Sequence, residues 1–122
     1  MGNIKSHKDL LIWQKSMALV TEIYQLTNSF PKDECYGLTS QIRRCSISVP
    51  TNIAEGYGRG SNKEYLRFLN ISIGSLFEIQ TQLEIAFNLQ YINEIHFKKT
   101  YEESREIERM ISSFYRKIKE RS

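Results

Sequence analysis

Histidine, cysteine and proline are all scarce in this chain, two of each among 122 residues, and each scarcity closes off a class of chemistry. His7 and His96 stand alone, with no second ligand three or four residues away, so neither has the spacing of a metal site. Glu55, Glu64, Glu78 and Glu84 supply carboxylates, but the paired Glu-x-x-His of carboxylate-bridged metal bundles is missing. No histidine is placed to activate Cys35, Cys45 or a serine as a nucleophile. The expectation is therefore a protein with no metal, no cofactor and no catalytic centre. Cys35 and Cys45, ten residues apart on one predicted helix, are too far apart for a disulfide and read as small buried hydrophobes.

Long apolar runs are also missing. No stretch approaches the ~20 residues of a membrane span, and the first residues, MGNIKSHKDLL, lack the apolar centre of a signal peptide. Met1-Gly2 with Ser6 matches the outline of a myristoylation motif, but nothing else points to membrane targeting, so a cytoplasmic protein is expected. Charge of one sign is scarce too: net charge is +3, and residues 91–122 hold eight basic and six acidic side chains. Four of those cations, Arg116, Lys117, Lys119 and Arg121, fall in the last seven residues against Glu120 alone. Such a mild basic tail falls short of the strongly basic composition of an obligate nucleic-acid protein.

What is abundant is helical periodicity. Residues 1–122 read as one domain of four helices, about 9–28, 32–55, 61–89 and 94–120. Short connections between long amphipathic helices predict an all-α, antiparallel up-down-up-down four-helix bundle. In helix one, Leu10, Trp13, Met17, Val20, Tyr24 and Thr27 form the main stripe, with Ile12, Leu19, Ile23 and Leu26 beside it. Helix two carries Cys35, Leu38, Ile42, Cys45 and Val49 on its seam, Pro50 inside it as a predicted kink, and Gly56 as its stop. Its Ser46-Ile47-Ser48-Val49 run would also suit a strand, but the three-four spacing on both sides favours the helix. Ser61 and Glu64 have capping-box spacing at the start of helix three. Its seam is Tyr65, Leu69, Ser72, Leu76, Ile79, Leu83 and Ala86, yet Phe68, Ile71, Ile73, Phe77, Ile85 and Phe87 lie outside it. A helix apolar on more than one side predicts a second packing partner, another copy of the chain. In helix four, Ile107, Ile111, Phe114 and Ile118 face inward.

Two constellations remain as candidate sites. Gln41, Asn52 and Glu55, next to Gly56, read as a buried polar network that fixes helix register. Arg43, Arg44, Arg59, Lys63 and Arg67, with Tyr57 and Tyr65 among them, read as a basic cluster around the helix two–three turn that could bind unpaired bases. The intervening Gly56-x-Gly58-x-Gly60 lacks the preceding strand and the Lys of a nucleotide-binding loop. It reads as a turn with glycine in left-handed conformations, or else as an anion site at the helix-three N-terminus with Arg59 and Lys63.

Several segments together resemble the bacterial four-helix-bundle proteins of the ribosomal-RNA intervening-sequence family. They are Asp9-Leu10-x-x-Trp13-Gln14-Lys15, Phe30-Pro31-x-x-Glu34, Gln41-Ile42-Arg43-Arg44, Ser46-Ile47, Asn52-Ile53-Ala54-Glu55-Gly56 and Gly74-Ser75-Leu76-x-Glu78. Cys45 departs from the pattern, where a small residue such as alanine is usual. The resemblance implies a ring-shaped homopentamer of antiparallel bundles, encoded within large-subunit ribosomal RNA genes or elsewhere in bacterial genomes. A weaker resemblance, to accessory proteins of diversity-generating retroelements, implies binding to nucleic acid and to a polymerase. The function expected is thus a non-enzymatic oligomer that binds RNA or DNA through the basic residues of the helix two–three turn and the tail. The alternative is a protein-interaction scaffold with no nucleic-acid affinity, using apolar surface on helices one and three.

Overall fold

The computed structural model describes residues 3–122; Met1 and Gly2, on which the myristoylation outline rests, lie outside the described residues. Four α-helices account for nearly all of it: α1 (Leu11–Thr27), α2 (Leu38–Tyr57), α3 (Asn62–Asn88) and α4 (Glu94–Glu120). Short 3-10 turns at His7–Asp9 and Lys32–Glu34 precede α1 and α2. There is no strand among the described residues, so Ser46–Val49 is helical and Pro50 lies inside an unbroken α2.

Each helix packs on two neighbours, in the cyclic order α1, α2, α3, α4. Contacts climb one helix as they descend the next. Cys45 faces Gln82 while Val49 faces Ser72; Lys15 reaches Glu106 while Glu22 meets Lys99; Gln80 meets Glu108 while Asn70 meets Tyr115. The core runs the length of the bundle through Ile23, Ile42, Val49, Ile53, Leu69, Leu76, Ile79, Leu83 and Ile111, all fully buried. Burial of this apolar surface is the main stabilising term.

Three details differ from expectation, each for an identifiable reason. The deeply buried face of α1 is Ile12, Ser16, Leu19, Ile23 and Thr27, whereas Met17 is 42% exposed and Tyr24 36%. The polar members of that face satisfy themselves: Ser16 donates to the Ile12 carbonyl at 2.6 Å and Thr27 to that of Ile23 at 2.7 Å. A buried hydroxyl with a partner is tolerated, so hydrophobicity alone picked the wrong stripe. Next, α2 begins at Leu38 rather than near residue 32, because Gly37 adopts a non-helical conformation (φ −114°, ψ −115°). The Glu34 carboxylate then accepts the Leu38 N–H at 3.0 Å and caps the helix. Cys35 consequently lies outside α2 and is exposed, while Cys45 is buried as expected; both are free thiols. Finally, Gly56 does not stop α2, which runs on to Tyr57 with Gly58 as its C-cap.

Candidate nucleic-acid interface

Gly56 lies at a close approach of α2 to α3. A Cβ there would lie 2.9 Å from Phe68 Cβ and 3.0 Å from Tyr65 Cδ1, so only glycine lets the helices meet at this point. Among the described residues no glycine takes a positive φ, so the loop glycines do not serve left-handed turns; the only such residue is Gln90 (φ 64°), between α3 and α4. The close approach brings the short Gly58–Ser61 connection against the start of α3. There Ser61 Oγ accepts the Glu64 N–H at 3.2 Å. Glu64 is paired with Arg67 at 3.6 Å, and its carboxylate does not accept the Ser61 N–H that would close the other half of the box.

Phe68 is also where two cations converge. The Arg59 guanidinium carbon lies 5.0 Å from its ring centroid and that of Arg67 4.9 Å. Arg59 is paired with Glu55 as well, at 2.9 Å. Beside them the last turns of α4 pack against the first turns of α3: Asn62 donates to Ser122 Oγ at 3.3 Å and Asn70 to the Tyr115 hydroxyl at 3.4 Å. The two helix ends enclose an open groove of about 690 Å³ lined by Asn62, Lys63, Leu66, Arg67, Asn70 and Tyr115. Lys63, Arg116, Lys117, Lys119 and Arg121 are exposed and make no ion pair among the described residues. One end of the bundle thus gathers Arg59, Lys63 and Arg67 with the four cations of the tail.

Arg43 and Arg44 do not belong to it. They sit near the start of α2, roughly 20 Å along the helix axis from its end at Tyr57. Arg43 is also consumed by the fold. Its Nε donates to Thr27 Oγ1 at 2.8 Å and its Nη2 to the Tyr24 carbonyl and Asn28 Oδ1 at 3.3 and 3.2 Å, with the guanidinium over the Tyr24 ring. It ties α2 to the carbonyl end of α1, adding a charged donor to the Tyr24 carbonyl that the Thr27 hydroxyl also bonds. Arg44 is exposed and, like Arg43, far from the basic end. The sequence separation from Arg43 to Arg59 looks small only until it is stretched along a helix.

The polar trio also stays apart. Gln41 is exposed, Asn52 donates to the Ser48 carbonyl and hydroxyl at 2.8 and 2.9 Å, and Glu55 turns outward to Arg59. Among the described residues no hydrogen bond joins the three, and Ile53 rather than Asn52 fills the core. The buried polar contacts that do span α2 and α3 are Ser72 to the Val49 carbonyl at 2.9 Å and Ser75 to Ser48 at 2.8 Å. Serines spaced among seam residues were the available signal for them.

A half-buried aromatic sits behind the basic end. Tyr65 packs edge-on against Tyr57 and Phe114, and burial, with Tyr57 nearby, pushes its hydroxyl up to about 12. It is a packing residue and keeps its proton. No group of three or more potential ligands that could hold a metal occurs among the described residues, and no helix there is long and apolar enough to cross a membrane.

Comparison with known proteins fits this geometry to a family. The crystal structure of a protein of unknown function from the S23 ribosomal protein family of Bacteroides thetaiotaomicron VPI-5482 superposes with a TM-score of 0.81 at 22% identity. The match covers 87% of this chain and 96% of that one, which establishes a shared fold. Among curated proteins none matches. The model of the 23S rRNA-intervening sequence protein family matches residues 8–113, from the turn before α1 into the last third of α4, and the chain belongs to that family.

Proposed function

We propose that this protein is a non-enzymatic, oligomeric nucleic-acid-binding protein that engages a polyanion with the end of the bundle where α2–α3 and the α4 tail meet. The observation that carries the reading is the juxtaposition of Lys63, Arg59 and Arg67 with the unpaired Arg116, Lys117, Lys119 and Arg121, contributed by segments some fifty residues apart in sequence. Arg59 and Arg67 are held in exposed pairs with Glu55 and Glu64, but Lys63 and the four tail cations at the same end are uncommitted and attract phosphates without an ion pair first being broken. The family's association with ribosomal RNA intervening sequences favours RNA over duplex DNA as the first ligand to test. No cofactor or membrane takes part, and the cytoplasm is the compartment that fits two free thiols.

Oligomerisation is supported by two separate apolar surfaces. One is the groove between α1 and α2, lined by Trp13, Met17, Val20, Ile47, Pro50 and Ala54. The other is the outer edge of α3, where Ile71, Phe77, Ile85 and Leu89 are exposed around Gly74, whose missing side chain would meet nothing within 4 Å. Two different patches suit a head-to-tail contact, and such a contact closes into a ring when the rotation allows. A pentamer would repeat the basic end five times around one rim. The same patches also favour a second reading, a scaffold that binds another protein through them without nucleic-acid affinity.

Binding of labelled structured RNA, read by anisotropy across a salt series, tests the first reading: tight association that weakens steeply with salt is expected. No association at low salt would leave the scaffold. Light scattering tests the ring, and a monomer at micromolar concentration would remove it.

A further inference from the structure

We propose that the groove between the start of α3 and the end of α4 receives an unpaired nucleotide strand rather than the surface of a duplex, a specificity that rests on the reading of the basic end given above. The groove is shallow and open, a surface along which an extended strand can lie rather than a cleft that encloses a ligand. A duplex presents a convex ridge of phosphates whose bases are reached only by an element that projects into a groove. No helix of this bundle projects: α3 and α4 are held side by side to their ends, down to the contact of Asn62 with Ser122. An unstacked base needs a flat apolar wall, polar groups at its edge and cations at its flanks, and the groove has all three.

The wall is Tyr115 with Leu66. Tyr115 is half-buried and is held in place where its hydroxyl accepts from Asn70, which leaves the ring against the cleft. Asn62 and Asn70 supply the edge. Each amide spends one donor inside the protein, on Ser122 and Tyr115, and retains its carbonyl and a second N–H for a ligand. Lys63 and Arg67 lie one helical turn apart on the same side of α3, with Lys63 unpaired and Arg67 held by an exposed contact to Glu64 and by the Phe68 ring. Successive phosphates of a strand lying across the groove would meet them in turn. The carbonyl end of α4 faces this site too, but the tail cations offset its negative pole.

The test compares a labelled twelve-nucleotide single-stranded RNA, its DNA counterpart and a duplex with the same number of phosphates, by anisotropy at matched salt. The single strands are expected to bind at least tenfold more tightly than the duplex, with the two sugar types distinguishing an RNA from a general single-strand site. Tyr115→Leu should weaken single-strand binding about tenfold and leave duplex binding unchanged, while Tyr115→Phe retains the affinity. Asn70→Asp, at an exposed position that cannot disturb the core, should weaken it at least as much. Equal or tighter duplex binding, or indifference to Asn70→Asp, overturns the inference while the basic-end reading stands. Failure of all three ligands to bind at low salt overturns both.

Discussion

The two ends of this bundle are built from similar residues and put them to opposite uses. At the end where α1 meets α2 and α3 meets α4, charges are absorbed by the fold. Arg43 spans the last turn of α1 and the start of α2, and Glu34 caps α2 while accepting the Tyr91 hydroxyl at 2.8 Å. Tyr91 in turn packs against Phe30, and Asn93 caps α4 by accepting the His96 N–H at 2.8 Å. At the other end the helix junction is closed by glycine and aromatic packing; Arg59 and Arg67 are paired with Glu55 and Glu64, but Lys63 and the four tail cations make no ion pair among the described residues. A charged side chain is available to a partner only when local backbone needs are met by something else. That principle separates Arg43 from Lys63 more reliably than their neighbourhoods in sequence do.

The contrast is broken most sharply at Arg43. Arg43→Leu should lower unfolding free energy by about 2 kcal/mol, because hydrogen bonds to a charged donor contribute ~1.5–3 kcal/mol and the link from α2 to Thr27, Tyr24 and Asn28 is lost. Arg44→Ala, one residue away and fully solvated, should change stability by less than ~0.5 kcal/mol. Urea denaturation of the two variants measures the difference. Equal effects would mean that Arg43's contacts contribute nothing net. Neither change should alter nucleic-acid affinity at fixed salt.

Two glycines extend the comparison. Gly56→Ala forces a Cβ into Phe68 and Tyr65, and overpacking of this kind costs ~1–3 kcal/mol, less up to ~1 kcal/mol regained in helix propensity. A net loss of about 1–2 kcal/mol is expected. Gly74→Ala meets no atom of its own chain and should stabilise the isolated subunit by ~0.5–1 kcal/mol. If the outer edge of α3 packs against a second copy, the same change should shift light-scattering mass toward smaller species. A stabilised protein of unchanged oligomeric mass would remove α3 from the interface.

How much of this was legible in the sequence depends on what kind of signal each feature leaves. Helices α3 and α4 were readable because their seams are dominated by apolar residues, Leu69, Leu76, Ile79, Leu83 and Ala86 around Ser72 in one and Ile107, Ile111 and Ile118 in the other. In α1 the deeply buried seam joins Thr27, already expected to face inward, to Ile12, Leu19 and Ile23 through Ser16, which hydrophobicity counts against it although its hydroxyl is satisfied by the Ile12 carbonyl. The start of α2 was misplaced because a carboxylate four residues upstream, not an N-cap side chain, closes it. Basic residues were all visible as basic, but whether each was already spent depended on contacts such as Thr27 to Arg43, sixteen residues apart. Linear clustering carries no such information. The groove depended on packing of α3 against α4, and only the separate charge excess of each segment hinted at it.

A smaller effect should distinguish the cations of the two ends under salt. Replacing Lys63, Lys119 and Arg121 together by alanine should reduce the slope of log affinity against log salt by about 2, near the ~0.7–0.9 expected per phosphate contact. Arg44→Ala should leave the slope unchanged. A triple variant with the wild-type slope would place the phosphate contacts elsewhere on the molecule.

The last contrast is in pH and concerns two carboxylates that the fold treats in opposite senses. The Leu38 N–H and the Tyr91 hydroxyl hold Glu34 below the ordinary carboxylate value of 4.5. Its contribution is therefore complete above about pH 4.5 and is lost as pH falls through its folded value. In the α1–α4 seam, burial pushes the Glu103 carboxyl up, and the neighbouring Glu22 adds to the shift. Glu103 Oε1 is buried without a donor, so a proton shared with Glu22 is its best resolution. Burial opposes ionisation of Glu22 as well, but hydrogen bonds from Glu103 and Lys99 hold it below its ordinary value, and Thr100 adds a further contact. Lys15 and Glu106, the other charges on this seam, are paired with each other and exposed. A raised folded value means that the ionised form is disfavoured at neutral pH and that stability is gained as pH falls through it. Glu103→Gln should therefore be more stable than the wild type at pH 7, with the advantage closing as the pH is lowered toward 4.5. Glu34→Gln should be less stable at pH 7, and its deficit should close only below about pH 4.5, where the wild type loses the same contacts. Stability curves for the two variants between pH 3 and 7 would show it; parallel curves would mean that neither carboxylate is tuned by its surroundings.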